Sequence, residues 1–252
     1  MKVQSINKQN IYSNCQTLTF KANPIMSMKC AFKRTSAPKR YFKISPFLEA
    51  RQIFDNLWKE LLLPEQLKPP VCFGNFRKSY IMGLDITNLC INVNCNKTSF
   101  GMHLRNKTGA TKASFRHEIE HLQQVWLVTR YLGTENIAKK YKEETGEAPS
   151  AYKITYMKNV ERTFGKIEPN SGEEILAKIY VDAIENYPEI SEKATFNITG
   201  IIKDIIAGIK YYFNPLEQHA RIAEKEYQPG ILKLCAETIK EAYKIIKFYV
   251  SK

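Results

Sequence analysis

The sequence lacks the features that mark several common classes of protein. It has no run of about 18 or more apolar residues, so nothing in it predicts a membrane-spanning helix. Residues 1–20, MKVQSINKQNIYSNCQTLTF, contain no apolar core long enough for a secretory signal. The six cysteines form no Cys-x-x-Cys pair, which argues against a disulfide framework or a cysteine-based zinc site. We therefore expect a cytoplasmic protein with reduced cysteines.

Acidic residues are missing from the beginning of the chain. Met1 to Leu48 contains nine Lys or Arg and no Asp or Glu, out of 38 basic and 25 acidic residues overall. Subtraction leaves 29 basic and 25 acidic residues, a net charge of +4, for the rest. Residues 1–44 also lack sustained periodicity, so we expect a flexible basic leader that is solvated or contacts acidic partners. Its lack of acids leaves organelle targeting open, although it is richer in Lys than in Arg.

The hydrophobic content, 44%, is sufficient for a sizeable core, and we expect residues 45–252 to form one domain. Ser45-Pro46 is a typical helix start, and FLEARQIFDNLWKELLL continues with helical spacing and stops before Pro64. Between Val71 and Arg105 the pattern changes to short β-rich pieces, VCFGNF, YIMGLDITNLCINVN and SFGMHL. These pieces predict a small sheet.

Nearly everything from Thr111 onward has helical periodicity. The strongest helix runs to Leu132 and is ended by Gly133. We therefore divide the domain into residues 45–133, with the sheet, and a helical part over 134–252. This order predicts an α+β fold that is predominantly helical. The later helical patterns lie near residues 135 to 143, 152 to 165, 172 to 187, 199 to 212, 215 to 227 and 230 to 250.

The segment SFRHEIEHLQQVW, residues 114–126, places two of the four histidines four residues apart. On a helical wheel His121 lies about 40° from His117, whereas the apolar stripe of this helix lies about 140° to 200° away. The helix can therefore pack its apolar side on a core and present both imidazoles to a cleft. Imidazoles at i and i+4 can reach one zinc ion, and the adjacent Glu118 can accept a proton from a bound water.

This segment resembles the active-site helix of HExxH metallopeptidases of the zincin fold, and the β-rich residues 71–105 precede it in the same order. The resemblance implies a catalytic zinc ion, one per chain, bound by His117 and His121, with Glu118 as general base. A metzincin would have Gly and His where this chain has Gln124 and Leu127. The resemblance is therefore to the gluzincin type, which uses a Glu from a later helix.

The best candidate for the third ligand is Glu217, in YYFNPLEQHARIAEKEY, residues 211–227. Asn214 and Pro215 begin a helix there, and the stretch Asn-Pro-x-Glu-x-x-Ala is similar to compact gluzincin-type proteins. The best-known gluzincins continue Glu-x-x-x-Asp, but this chain has Arg221 at that position, where it could hold Glu217 or a substrate carboxylate.

Two other interpretations of this helix stay open. Asn followed by Glu three residues later is also a capping box, in which Glu217 would only stabilise the helix start. Glu224 lies seven residues after Glu217 on the same face of the helix, and it is the second candidate ligand. His219 lies about 200° from Glu217 on the wheel and is not expected to reach the same ion.

Three further residues have weaker indications of a role. Tyr211 or Tyr212 can donate a hydrogen bond to an oxyanion, although a core position is expected for each tyrosine. His103, at the end of the last β-rich piece, can line the cleft, although a lone histidine is usually structural.

The leading hypothesis is a zinc-dependent hydrolase, a metallopeptidase acting on a peptide or protein. The alternative is a non-enzymatic helical binding protein that uses its basic leader and the Lys-rich terminus LKLCAETIKEAYKIIKFYVSK on nucleic acid or an acidic surface, with a structural metal or none. The oligomeric state is not predicted.

Overall fold

The computed structural model describes residues 42, 44–74, 81–95, 99–187 and 198–250. The predicted leader, residues 1–44, lies outside the described residues except for Phe42 and Ile44. Helices and strands of the described part follow in this order: α1 (Pro46–Glu60), a 3-10 helix (Glu65–Leu67), β1 (Val71–Gly74), β2 (Met82–Asp85), β3 (Cys90–Asn94), α2 (Ser99–Thr108), α3 (Ala110–Leu132), α4 (Thr134–Thr145), α5 (Ala151–Phe164), α6 (Gly172–Glu185), α7 (Ile198–Phe213), α8 (Pro215–Lys225) and α9 (Ile231–Val250).

Helix α1 begins as predicted with Pro46, whose fixed φ suits the first helical position. Ser45 occupies the N-cap position, but its hydroxyl makes no capping hydrogen bond and is buried without a hydrogen-bond partner. The helix ends at Glu60, and Leu62, at a φ of 53°, reverses the chain before Pro64. The helix therefore ends before Pro64, whose ring would clash with the preceding turn inside a helix.

The three strands form one sheet in the order β1-β3-β2. Strand β1 pairs with β3 in parallel, and β2 pairs with β3 antiparallel. All five residues of β3 are buried, as the middle position requires. Strand β2 is left at one edge, where its Leu84 N–H is available to the neighbouring helix α3.

One predicted β-rich piece, SFGMHL, is helical and belongs to α2. Its apolar and polar residues alternate over too few positions to separate a strand from a helix. Helix α2 packs between α1 and α9, and this packing buries Met102 completely while Leu104 is only half-buried. Tertiary contacts rather than the alternation therefore decided the conformation. His103 consequently lies on a helix and not at a strand end.

Helix α3 is the central element of the fold. It contacts α1, α2, α4, α5, α6, α8 and strand β2. Trp126 on α3 meets Trp58 of α1 edge-on and donates from Nε1 to the Tyr156 hydroxyl at 2.8 Å. Gly133 ends the helix at a φ of 82°, a conformation that side chains with a Cβ rarely adopt. The buried apolar side of α3 consists of Phe115, Ile119, Leu122 and Trp126.

The helices that follow α3 match the predicted positions to within a few residues. The prediction of an α+β, predominantly helical fold is confirmed. Within the described residues, none of the helices combines the length and apolarity needed to cross a bilayer.

Candidate metal centre

Two helices carry the side chains of the site. Helix α3 presents His117 and His121 from the side opposite its buried apolar side, and both histidines are half-buried. Helix α8 begins at Asn214, whose Oδ1 accepts from the Leu216 N–H at 2.9 Å and whose Nδ2 donates to the Ala183 carbonyl of α6 at 3.1 Å. This cap fixes the first turn of α8, and Glu217 in that turn is 2% exposed.

Three donor groups converge between these helices. The Nε2 atoms of His117 and His121 are 3.1 Å apart. Glu217 Oε1 lies 3.4 Å from His121 Nε2, and Glu217 Oε2 lies 3.6 Å from His117 Nε2. These residues form a group that could hold a metal ion, with all of their ligand atoms within 4.8 Å of one another.

The position of Glu217 is not that of a capping residue. The Asn214 N–H donates to the Tyr211 carbonyl, whereas a capping box would direct it to the Glu217 carboxylate. Glu217 Oε1 accepts from the Tyr187 hydroxyl at 2.6 Å. Glu217 Oε2 is buried and accepts no hydrogen bond. A buried carboxylate oxygen without a donor is costly, and it is explained if a cation binds there.

The outer nitrogens of both imidazoles are engaged. His117 Nδ1 lies 3.2 Å from Glu224 Oε2, and His121 Nδ1 lies 2.9 Å from Gln124 Oε1. If each Nδ1 carries its proton toward these acceptors, each Nε2 is left with a lone pair directed inward. Glu224 therefore contacts the far side of the His117 ring and is outside the three-donor group.

Gln124 links the two helices of the site. Its Oε1 accepts from His121, and its Nε2 donates to the Leu216 carbonyl on α8 at 2.9 Å. Gln124 is 3% exposed, so these bonds are shielded from water. The Gln124 side chain thus fixes the position of the His121 imidazole relative to the first turn of α8.

The protonation of the site reflects the concentration of carboxylates around it. Burial acts to lower the pKa of His117, but the neighbouring carboxylates of Glu217 and Glu224 outweigh it and raise the pKa to about 9. Burial acts to raise the pKa of Glu217, but His117, His121, Tyr187 and Tyr211 outweigh it and lower the pKa to about 2. Without a metal, a proton on His117 therefore balances the Glu217 carboxylate near neutral pH.

Glu118 lies beside the histidines but outside the three-donor group. Its Oε2 accepts from the Leu84 N–H of edge strand β2 at 2.7 Å. Burial raises the pKa of Glu118, and the charges of His121 and His117 act in the opposite direction without cancelling it. A carboxylate with a raised pKa is better matched to proton transfer near neutral pH than a solvated one.

The structure places the Arg221 guanidinium over aromatic rings of α7. The guanidinium lies 4.4 Å from the Tyr212 ring centroid and donates to the Tyr212 carbonyl.

Burial and the Glu217 carboxylate raise the pKa of Tyr211. Tyr212 is 58% exposed, on the surface.

The other two histidines are engaged elsewhere. His219 Nδ1 lies 2.5 Å from the Tyr180 hydroxyl. His103 Nε2 lies 2.9 Å from Glu241 Oε2 on α9. Neither belongs to the three-donor group.

Sequence reasoning missed Tyr187 and Gln124. Tyr187 follows the end of α6 and reaches Glu217 across 30 positions of the chain. No local pattern marks such a contact. Gln124 carried a usable signal, because on α3 it lies one turn beyond His121, within hydrogen-bond reach of that ring.

Comparison of the chain with models of known protein families, with curated proteins and with solved structures gave no match. The functional argument therefore depends on the geometry and chemistry of the site.

Proposed function

We propose that this protein is a zinc-dependent hydrolase, most specifically a metallopeptidase that binds one zinc ion through His117, His121 and Glu217. The separations of the donor atoms carry the proposal. Ligand atoms at zinc distances of about 2.0–2.2 Å and tetrahedral angles lie about 3.3–3.6 Å from each other. The two imidazole Nε2 atoms are 3.1 Å apart, close to this range. His121 Nε2 lies 3.4 Å from Glu217 Oε1 and His117 Nε2 lies 3.6 Å from Glu217 Oε2, so either oxygen is near one imidazole, and one ligand atom from each residue lies within 4.8 Å of the others.

The composition of the donor set also suits a catalytic site better than a structural one. Structural zinc sites use four protein ligands, whereas catalytic sites use three and leave one position for water. Two imidazoles and one carboxylate meet here, and no fourth His, Cys, Asp or Glu among the described residues completes the group. When bound, zinc would lower the pKa of a coordinated water toward about 7 and polarise a substrate carbonyl.

The protein's own groups then have separate tasks. Glu118 accepts the proton from the water and carries it to the leaving group, while its Leu84 contact fixes the carboxylate. Glu224 and Gln124 hold the two imidazoles in the required tautomer. Tyr187 and Tyr211 stabilise Glu217 as a carboxylate.

A peptide is the substrate class that suits the surroundings of Glu118. Strand β2 is an edge strand, and it passes Glu118 at Leu84. An extended peptide can pair with the backbone groups of a strand edge that are not already bonded, which would lay its amide bonds along the site. The cytoplasmic location expected from the sequence is part of this proposal.

Metal content of the full-length chain, purified without added metal and without a histidine tag, tests the proposal. We expect about one zinc ion per chain. Changing His117 and His121 together to Ala should abolish stoichiometric zinc and hydrolysis of an unstructured protein substrate. Changing the other two histidines, His103 and His219, is the matched control and should leave zinc content unchanged. A metal-free wild-type protein, or equal zinc in both double variants, would instead favour the non-enzymatic binding protein.

A further inference from the structure

Helix α9 leaves a row of apolar side chains in contact with solvent. The exposed fractions are 79% for Ile231, 86% for Leu232, 70% for Ile239 and 65% for Tyr243. Cys235 is also exposed. At 100° per residue these five positions fall within an arc of about 120° on one face of the helix. We refer to these five residues as the apolar stripe.

A different face attaches α9 to the protein. Glu241 is 3% exposed, and its carboxylate binds His103 of α2. On the wheel Glu241 lies about 140° from the centre of the apolar stripe. The stripe is therefore not the packing face of α9, and a large apolar surface on a fixed helix indicates an interaction site.

Exposed lysines border the stripe on its other side. Lys233, Lys240, Lys244 and Lys247 are all exposed and fall within an arc of about 60°, beginning about 40° beyond Tyr243. Helix α9 has four lysines against two glutamates, and one of these glutamates is the buried Glu241. Lys240 pairs with Glu237 and Lys244 pairs with Glu241. The outward surface of α9 thus combines apolar side chains with a net positive charge, because four lysines exceed two glutamates.

We propose that the outward face of α9 binds to the surface of an anionic lipid membrane. Amphipathic helices that lie in the plane of a bilayer place apolar side chains at the boundary of headgroups and acyl chains, with lysines beside them on anionic headgroups. The apolar stripe and the bordering lysines of α9 have this arrangement. Tyr243, between the two, is a residue type that favours the membrane interface.

Two other occupants fit this surface less well. Nucleic acid would pair with the lysines but would leave Ile231, Leu232 and Ile239 in water, because backbone phosphates and base edges are polar. A second copy of the chain would bring two lysine rows and two net charges of +13 together. The anionic bilayer is the occupant that satisfies both the charge and the apolar surface.

Vesicle co-sedimentation of the full chain tests this inference. We expect binding to vesicles of phosphatidylcholine mixed with phosphatidylserine and little binding to phosphatidylcholine alone. The pair Leu232→Asn and Ile239→Asn should weaken binding about tenfold or more, because it removes apolar groups without changing charge. The pair Lys233→Gln and Lys240→Gln should weaken binding to mixed vesicles by about tenfold or more.

Two controls isolate the contribution of α9. Every variant keeps the basic residues of 1–48, so binding through that segment is constant across the set. Ile206 and Ile209 of α7 are also exposed, at 47% and 53%. The pair Ile206→Asn and Ile209→Asn should bind like wild type. All substituted positions are on the surface, so thermal unfolding should be unchanged.

Several results would overturn the inference. One is the absence of binding to mixed vesicles, and another is an equal loss in the α7 control pair. Binding to duplex DNA that depends on the lysines and ignores the Asn substitutions would assign the surface to nucleic acid. A dimer in light scattering that dissociates in the Asn variant would assign it to a second copy. Vesicle binding does not require zinc, so these outcomes are independent of the proposed hydrolase.

Discussion

Two buried histidine–carboxylate contacts in this protein have different geometries. At the α2–α9 contact, His103 Nε2 and Glu241 Oε2 are 2.9 Å apart, a normal hydrogen bond between one donor and one acceptor. At the candidate metal centre, the imidazole-to-Glu217 separations are 3.4 and 3.6 Å, and two ring nitrogens share one carboxylate. The first pair is at hydrogen-bond distance, whereas the three residues of the second group only have ligand atoms within 4.8 Å of one another.

The difference separates the candidate metal centre from a structural ion pair. The residue types are the same in both, and both carboxylates are buried, because Glu241 is 3% and Glu217 is 2% exposed. What differs is the number of converging groups and the distance to the acceptor at each Nδ1, which for His103 is Glu49 Oε2 at 3.9 Å. His117 and His121 each have a Nδ1 acceptor, Glu224 or Gln124, that turns Nε2 inward. We expect changes at the two places to have separable effects.

The largest expected effect is on metal binding. Glu217→Ala removes one of three protein donors and should abolish stoichiometric zinc, measured by titration with a competing chelator. Glu241→Ala is the matched control and should leave zinc affinity unchanged, because its carboxylate contacts His103 and Lys244 and not the three-donor group. Normal zinc affinity in Glu217→Ala together with loss in Glu224→Ala would make Glu224 the third ligand.

Glu118→Gln should separate binding from chemistry. The Gln carbonyl can still accept the Leu84 N–H, so the local structure and zinc content should persist. Loss of the general base should lower kcat/KM for a peptide substrate by about a hundredfold or more. A zinc-loaded Glu118→Gln variant with wild-type turnover would contradict the role assigned to this carboxylate.

Removing the hydrogen-bond acceptor of a metal-binding imidazole should have an intermediate effect on zinc affinity. Glu224→Ala takes away the acceptor at His117 Nδ1 and should weaken zinc binding about 10–100-fold while keeping a three-donor site. Glu226→Ala, at an exposed position just beyond the same helix, is the control and should not change zinc affinity. Equal affinities in the two variants would show that His117 does not depend on Glu224.

The pH dependence of zinc affinity should be about tenfold per pH unit at neutral pH. The metal-free protein holds a proton on His117, with a pKa of about 9, and zinc must displace it. Affinity should therefore rise as pH rises toward 9 and level off above it. Calorimetry in buffers of different protonation enthalpy should detect about one proton released per zinc bound at pH 7. No proton release would contradict the raised pKa.

The same groups set the stability of the metal-free protein. The raised His117 pKa means that its contribution is complete below pH 6.5 and is lost as pH rises through 9. The Glu217 pKa is lowered from 4.5 to about 2, so its contribution is complete above pH 4.5 and is lost as pH falls through 2. Urea unfolding of the metal-free protein should give these two limits, and Glu217→Gln should flatten both.

The smallest effect is expected at the α2–α9 contact. His103→Ala leaves the buried Glu241 without its histidine and should cost about 1–3 kcal/mol in unfolding free energy, with no change in zinc affinity. Chemical denaturation of the zinc-free protein measures the first quantity, and chelator competition measures the second. A change in zinc affinity would mean that the two regions are coupled.

The sequence by itself determined the α-helices other than α2, the strands within two of the three predicted β-rich pieces, and the His-Glu-x-x-His pattern on α3. These features are local: helical spacing, proline and glycine at helix ends, and imidazoles four residues apart are all read within one element. The choice of Glu217 as third ligand rested on the family resemblance and on the prediction that Asn214 begins a helix. In the structure Asn214 does cap α8. A capping box predicts the same residue types, so the sequence alone left two interpretations open.

Only the tertiary structure decided the conformation of residues 99–108 and the contacts around Glu217. SFGMHL is too short for its alternation to be decisive, and packing between α1 and α9 made it helical. Tyr187 reaches Glu217, and Gln124 reaches the Leu216 carbonyl, across 30 and 92 positions of the chain. Contacts of this kind arise from the docking of whole helices, which buries apolar faces first and brings distant polar groups together as a consequence.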